Sequence, residues 1–321
     1  MKKLIKSIYY IFAVIILITV GSCTDLGETL YSEIESSKFY QTEAEIVSAL
    51  VPAYADLRVL CDLRGTGTME TFCTDEALLP TRGRHWYDGG NFQRFSEHSW
   101  TSEVVYLNTG WRQQFQMVNR ANMLIYQFAN LENMNPNLRD AFTAELYCIR
   151  ALGYYNLLNS FGNVPIVDRF DVPEGYQPGN NSDFQEGRED VFNFIETDLL
   201  NNLDKLSDKH DNSTYGRFNK WAAAALLTKL YMNAQVWTGT PRWDEAITYA
   251  DMIIDSELFN LEPNYFANFS PQNENSKENI FVVPFDEYRT GDGWGSYNTT
   301  FFYLCGQHHQ GRKMFNVPHA A

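Results

Sequence analysis

Apolar positions fall at helical spacing over most of the chain. Thr42 and Glu45 form a capping-box signature just ahead of the run AEIVSALVPAYADL, in which Ile46, Leu50, Ala53 and Leu57 share one face. Pro52 removes a backbone donor within that run and predicts a kink. Residues 111–131, WRQQFQMVNRANMLIYQFANL, place Phe115, Val118, Asn122, Ile125 and Ala129 on one stripe. Beyond Pro136 a helix from about Leu138 to Ser160 carries Ala141, Cys148, Leu152, Tyr155 and Leu158 along a face. Gly162 and then Pro165 end it, since glycine accepts the left-handed turn and proline cannot continue a helix. A loop rich in Gly, Pro and Asn at 171–187 precedes a second pair. Val191, Ile195, Leu199, Leu203 and Leu206 mark its first helix, and Trp221 to Trp237 its second, whose run Ala222 to Ala225 lets a neighbouring backbone come close. A third pair begins at Thr240-Pro241, read as N-cap and first helical residue. Asp244 and Glu245 suit the dipole of its first turn, and its stripe is Trp243, Ala246, Ile247, Ala250 and Ile254.

Antiparallel helix pairs with small residues at the crossings and recurring large aromatics resemble tetratricopeptide units, without a strict 34-residue period. Such a unit cannot hide its apolar face alone, so its neighbours must stack on it. The expected fold class is all-α: an α-solenoid of tetratricopeptide-like pairs packed against an irregular, loop-rich half.

The N-terminus follows a different pattern. Lys2, Lys3 and Lys6 precede an apolar run from Ile8 to Val20, too short for the roughly 20 apolar residues of a spanning helix. Val20-Gly21-Ser22-Cys23 then looks like a bacterial lipobox, with Cys23 as the lipid-bearing first residue. The alternatives are an ordinary cleavage site with an incidental cysteine, or an uncleaved anchor. Acyl chains on one residue can hold a protein to a membrane without a spanning helix, at about 0.8 kcal/mol per buried CH2. Residues 1–22 are thus expected to be a signal peptide and 23–37 a lipidated polar tether. Residues 38–321 are expected to form the folded domain.

The 321 residues carry 25 Lys and Arg against 40 Asp and Glu, a formal net charge of −15. That charge repels phosphate backbones and argues against nucleic acid as a partner. Hydrophobic residues at 44% are enough to build a core, which excludes a disordered chain. Aromatics reach 15%, more than a core alone requires, and suit a surface that binds flat apolar faces. No Cys-x-x-Cys pair occurs, so a zinc or thioredoxin-like site is not indicated. Cys148 reads as a small buried hydrophobe, and pairing of Cys61 with Cys73 in an oxidising compartment stays open.

The segment AELYCIRALGYYNLLNSFGNVPIV, 144–167, contains Arg150-Ala151, Tyr154-Tyr155 and Phe161-Gly162-x-Val164-Pro165. With GRFNKWAAAALLTKLYMNAQVW at 216–237, the pairing of WDEAITYADMII with LFNLEPNYFANF, KENIFVVPF at 277–285 and the lipobox, it resembles the SusD/RagB family of outer-membrane surface lipoproteins. The resemblance implies helical repeats that contact a partner barrel and a loop-rich half that carries a ligand site. It implies capture of an oligosaccharide or polysaccharide and its transfer to a SusC-like TonB-dependent transporter, with no catalysis and no cofactor. Family members are longer and this chain ends at FNVPHAA, so the expectation is an N-terminal portion of such a domain. The hallmark residues themselves read as structural: Tyr154 and Tyr155 as core packing, Gly162 and Pro165 as terminators.

A pyranose has an apolar face and a rim of hydroxyls, so a glycan binder needs exposed Trp or Tyr beside polar side chains. Two loops offer this. The first, 74–100, contains Asp75, Arg82, Arg84, Trp86, Tyr87 and Trp100. The resemblance assigns glycan recognition to this loop and, by approximate position, to Asp75, Arg82, Trp86 and Trp100. Trp86, flanked by His85, Tyr87 and Asp88, is expected to be exposed; Trp100 is either exposed or a core residue capping the next helix. The second, 286–303, sets Trp294 among Gly291, Gly293 and Gly295, with Tyr297 and Asn298 beyond, either as a presenting loop or as a turn with the ring inside. Trp111, Trp221, Trp237 and Trp243 sit on helix stripes and are assigned to the core. Arg82 and Arg84 suit an anionic glycan, or equally serve acidic neighbours.

No zincin, nucleophile-elbow or P-loop motif is present, and His308-His309, being adjacent, makes a poor metal pair. A scaffold that stabilises a transporter without binding glycan, a binder of another nutrient such as peptide, and a glycoside hydrolase with paired carboxylates remain the alternatives.

Overall fold

In the computed structural model, residues 42–285 are described apart from 63, 84, 85, 133, 271 and 272. The signal, tether and Cys23 assignments lie outside these residues. The described chain is helical and contains no strand: α1 (Glu43–Asp56), α2 (Thr66–Phe72), α3 (Asn91–Ser96), α4 (Val105–Ala129), α5 (Pro136–Phe161), α6 (Phe184–Leu200), α7 (Lys220–Met232), α8 (Ala234–Thr238) and α9 (Trp243–Ile254). Irregular chain with one 3-10 turn flanks α3 over 73–104, and irregular chain with two more such turns follows α9.

The Thr42 capping box forms in full: the Glu45 amide donates to the Thr42 hydroxyl, and the Thr42 amide donates to the Glu45 carboxylate at 2.8 Å. All four residues assigned to the α1 stripe are buried, and the chain stays one helix across Pro52. At the start of α5 Pro136 is the first helical residue rather than a separator, with the Asn135 side chain capping the Asn137 and Leu138 amides. Gly162 closes α5 at φ 75°, where a Cβ would also lie 2.8 Å from the Phe184 ring.

The helices α4 and α5 form the principal pair, α6 packs on α5 and on α8, and α7 pairs with α9. This revises the expected second pair, because α6 and α7 share only a minor contact. Gly153 lets α4 and α5 approach, since a Cβ there would stand 3.1 Å from Val118. The α4 stripe is rotated from the one read in the sequence. Gly110, Gln114, Met117, Val118, Ala121, Asn122, Leu124 and Phe128 are buried, whereas Ile125 is half-buried and Ala129 exposed. Val118 and Asn122 are buried as read, and the shift follows Gln114, which like Asn122 is a buried polar residue with partners of its own.

Those partners belong to a buried polar seam along α5. Arg150 (4% exposed) makes a two-pronged bond to Asp198 (5% exposed) of α6 at 2.8 and 2.7 Å. The same guanidinium donates to Asn122 of α4 at 2.7 Å and to the Asp168 carbonyl at 2.8 Å, and it lies over the Tyr147 and Phe194 rings. Asn122 donates onward to the Val167 carbonyl at 2.8 Å. Glu145 accepts from Arg217 and from the Tyr54 hydroxyl, joining α5 to α1 and to the chain before α7. Gln114 donates to Thr66 at 2.6 Å, tying α4 to α2.

Tyr154 is buried as expected, and it has a further task. Its hydroxyl accepts from the Val167 amide at 2.6 Å, and burial pushes its phenol up to about 12. Tyr155 is half-buried, edge-on to Trp237 at 5.6 Å. Cys148 is buried, and Cys61, Cys73 and Cys148 are all free thiols.

The start of α9 differs from expectation. It begins at Trp243 with Arg242 as its cap residue, not at Thr240-Pro241. The chain turns at Gly239 (φ 77°), and Arg242 is drawn to Glu196 of α6 at 3.0 Å and over the Tyr231 ring. The buried positions of α9 are Ala246 and Ile253, with Tyr249 stacked on Tyr231 at 5.7 Å. Trp243 is 49% exposed, with Ile247 and Ile254, so its core assignment is overturned: α7 covers the opposite side of the helix. Trp237 is buried, and Trp111 and Trp221 are half-buried.

Removing one partner of a buried, hydrogen-bonded ion pair leaves an uncompensated charge. Arg150→Ala is expected to lower unfolding stability by about 3–5 kcal/mol in urea titration; a loss below about 1 kcal/mol contradicts the seam's role. Tyr154→Phe, which leaves the Val167 amide without its acceptor, is expected to cost about 1–3 kcal/mol in the same assay.

Candidate functional site

The chain from Cys73 to Val104 is irregular apart from a 3-10 turn and the short α3, and it rests on a compact apolar cluster. Met69 and Phe72 of α2, Leu79, Phe92 and Phe95 of α3, Val104 and Tyr106 are buried together, with Trp86, Leu107 and Phe161 half-buried against them. Phe92 is the hub. Its ring lies 5.1 Å from Phe72, 5.3 Å from Tyr106 and 6.3 Å from Trp86.

The backbone of this segment is unusual. Gly83, Trp86, Asp88, Gly89, Gly90 and His98 all adopt positive φ. Three of these are not glycine, and such conformations cost of order 1–3 kcal/mol each and persist only where the surroundings enforce them. The enforcement is visible. Asp88 accepts from the Tyr106 hydroxyl, and its carbonyl accepts from Asn91 at 2.8 Å. Burial, and after it the Asp88 carboxylate, pushes the Tyr106 phenol well above its usual value. The His98 ring Nε2 is 2.8 Å from the Cys73 carbonyl; a carbonyl only accepts, so that nitrogen carries the proton.

On this support Trp100 is presented at the surface. It is 42% exposed, and its ring stacks on Phe95 at 5.9 Å and 28° while the His98 ring sits 5.4 Å away. Of the two readings open for Trp100, core cap and surface ring, the structure gives a ring backed by the core on one side and open on the other. Trp86 departs from expectation: it is half-buried, turned inward against Phe92. Its positive φ of 58° and the apolar pocket beside Phe92 take in a ring that its polar sequence neighbours seemed to place in water.

Tyr87, Asp75 and Arg82 are exposed. Among the described residues, Asp75 and Arg82 make no hydrogen bond or ion pair with the protein, so their polar groups are available to a ligand. Arg84, Trp294, Tyr297 and Asn298 lie outside the described residues. The chemistry available is stacking at one indole backed by Phe95, with the exposed polar side chains of Asp75 and Arg82 elsewhere on the same segment. No group of His, Cys, Asp and Glu able to hold a metal occurs among the described residues, and no described helix is long and apolar enough to cross a membrane.

Sequence reasoning missed a second aromatic surface. An open groove of about 500 Å3 runs along α4, floored by Trp111, Phe115, Met123 and Phe170. Its signal was Trp111 and Phe115 one turn apart, with Arg112, Gln116 and Asn119 on the adjoining outward row.

Comparison with known proteins fits this architecture. A SusD-like family model described as "starch-binding associating with outer membrane" matches residues 35–232. A SusD-like protein of Formosa agariphila is 23% identical over 288 residues, which is 88% of this chain and 52% of that protein. The starch-binding protein SusD of Bacteroides thetaiotaomicron is 25% identical over 245 residues, 73% of this chain and 39% of its own length. The chain therefore spans about half or less of these two curated relatives. Among solved structures, a laminarin-binding SusD-like protein superposes with a TM-score of 0.64 at 24% identity, covering 75% of this chain and 51% of that one. Surface glycan-binding protein A from Bacteroides thetaiotaomicron, in complex with laminarihexaose, gives 0.62 at 20% identity, covering 76% and 50%. These likenesses establish a shared fold. The family model covers well over half of the chain and ends where α7 does, and on that match the chain belongs to the SusD-like family.

Proposed function

We propose that the protein is a cell-surface glycan-binding lipoprotein. It captures oligosaccharides without altering them and passes them to a SusC-like TonB-dependent transporter in the outer membrane. Residues 1–22 direct export, Cys23 carries the lipid, 23–37 form the tether and 38–321 the SusD-like domain. The observation that carries the reading is Trp100, a ring backed by Phe95 and half open to solvent on a segment held in costly backbone conformations. The open face suits the apolar face of a pyranose, and the free polar groups of Asp75 and Arg82 suit its hydroxyls. The relatives described as binding laminarin and starch make β- and α-glucans the first ligands to test.

A scaffold that lies against the transporter and binds no sugar draws on a different feature, the apolar side chains that α9 leaves in water: Trp243, Ile247 and Ile254.

Affinity electrophoresis in gels containing laminarin or starch separates the two. Trp100→Ala is expected to weaken retention about tenfold, the scale of a lost stacking contact. Its unfolding midpoint should stay close to that of the parent, because half the ring is already in water. Trp86→Ala should do the opposite, lowering stability by about 2 kcal/mol through the half-buried contact with Phe92. Retention unchanged in Trp100→Ala sinks the capture reading and favours the scaffold.

A further inference from the structure

The groove along α4 has a composition of its own. Trp111 lies 4.8 Å from Phe115 and edge-on to Phe161 at 5.1 Å, so its ring is fixed by neighbours on two sides. Phe170, from the chain after α5, is exposed and closes the far wall beside Tyr126. Above this apolar floor stand Arg112, Gln116 and Asn119, one helical row at i, i+4 and i+7. Arg120 also reaches the groove, but Asp56 already holds its guanidinium. Arg112 and Asn119 are exposed and have no hydrogen-bond or ion-pair partner among the described residues.

The charge of this surface runs against the rest of the molecule. The chain carries a net −15, yet Arg112 leaves an unpaired guanidinium on the groove, and the carboxylate at its edge, Asp56, is already engaged by Arg120 and Gln116. A neutral sugar would use the floor and give Arg112 only hydroxyl oxygens, leaving its charge unmatched. A purely inorganic anion would use Arg112 and leave three aromatic rings in water. The ligand that uses both has a flat apolar face and an anionic substituent at its rim. A volume of about 500 Å3 is within the range of small-ligand sites, roughly 300–1,000 Å3.

We propose that the α4 groove is a second saccharide site, separate from Trp100, and that it takes acidic pyranose units bearing a carboxylate or a sulfate. Trp111, Phe115 and Phe170 receive the ring. Arg112 donates paired hydrogen bonds to the anion, as a guanidinium does to either group. Asn119 takes hydroxyls through its free amide, and Gln116, whose amide nitrogen already donates to Asp56 at 2.9 Å, offers its carbonyl oxygen. The inference rests on the proposed function only in taking saccharide as the ligand class.

Affinity electrophoresis tests it with four gels: alginate for carboxylate, carrageenan for sulfate, and laminarin and starch as neutral controls. Arg112→Glu and Phe170→Ala alter exposed side chains and should leave the unfolding midpoint unchanged. Arg112→Glu is expected to weaken retention by alginate or carrageenan about tenfold and to leave the neutral gels unaffected, and the acidic gel that responds identifies the anion. Phe170→Ala is expected to weaken the same acidic retention about threefold. Acidic retention that is absent in the parent, or unmoved by both variants, overturns the groove. In that event retention on laminarin or starch that depends on Trp100 still upholds the earlier reading, whereas a parent held by no gel removes both.

Discussion

The guanidinium of Arg150 is the contact on which the described fold depends. It is a full charge almost completely withdrawn from water, which is tolerable only when it is paired and hydrogen-bonded. Asp198 supplies the countercharge, Asn122 and the Asp168 carbonyl both accept from Nη1, and two aromatic faces cover the plane. Each partner comes from a different stretch of chain: α6, α4 and the loop after α5. Apolar packing between helices tolerates small slides, but a planar fork with three directional partners does not. We therefore attribute the register of α4, α5 and α6 to this seam and the bulk of their cohesion to the leucines, isoleucines and alanines around it.

That register also bears on the two candidate surfaces. One side of α4 packs on α5 through Val118 and the close approach at Gly153; the outward row carries the groove. Its first residues, Tyr106 and Leu107, reach into the cluster around Phe92 that supports Trp100. Phe161, at the end of α5, touches Trp111 on one side and joins the Phe92 cluster on the other. Neither surface is built on an autonomous loop. The groove is a row of side chains on α4 itself, whereas Trp100 sits on irregular chain braced by the Phe92 cluster, to which α4 contributes Tyr106 and Leu107.

Local signals in the sequence were the ones that survived. The capping box at Thr42, the glycine stop at Gly162 and the buried Cys148 depend on a few neighbouring residues, and all are found. So is the all-helical class, because the spacing is repeated through many turns. Features set by partners distant in sequence were harder to read. The α4 stripe was read correctly at Val118 and Asn122 but missed Gln114, whose burial only its bond to Thr66 explains. Thr240-Pro241 had the chemistry of a helix start, but Arg242 is pulled to Glu196, and the turn at Gly239 uses those residues instead. The second helix pair failed for a related reason: chain order suggested α6 with α7, and packing chose α9 for α7.

The tryptophans show why sites are less legible than folds. Trp86 has polar neighbours in sequence and Trp243 sits on an apolar stripe, yet the first is turned inward and the second outward. A helix stripe describes which residues share a face; only the packing of other helices decides whether that face is covered. Trp86 is a case of the reverse, where a left-handed backbone conformation turns a residue against the pattern of its neighbours. Trp100 needed one further fact, the ring of Phe95 behind it, before its exposure meant anything more than incomplete burial. An exposed aromatic side chain becomes a candidate platform when its other face is held rigid. That condition joins residues five apart for Trp100 and fifty apart for Trp111 and Phe161, and periodicity along the chain contains no record of it.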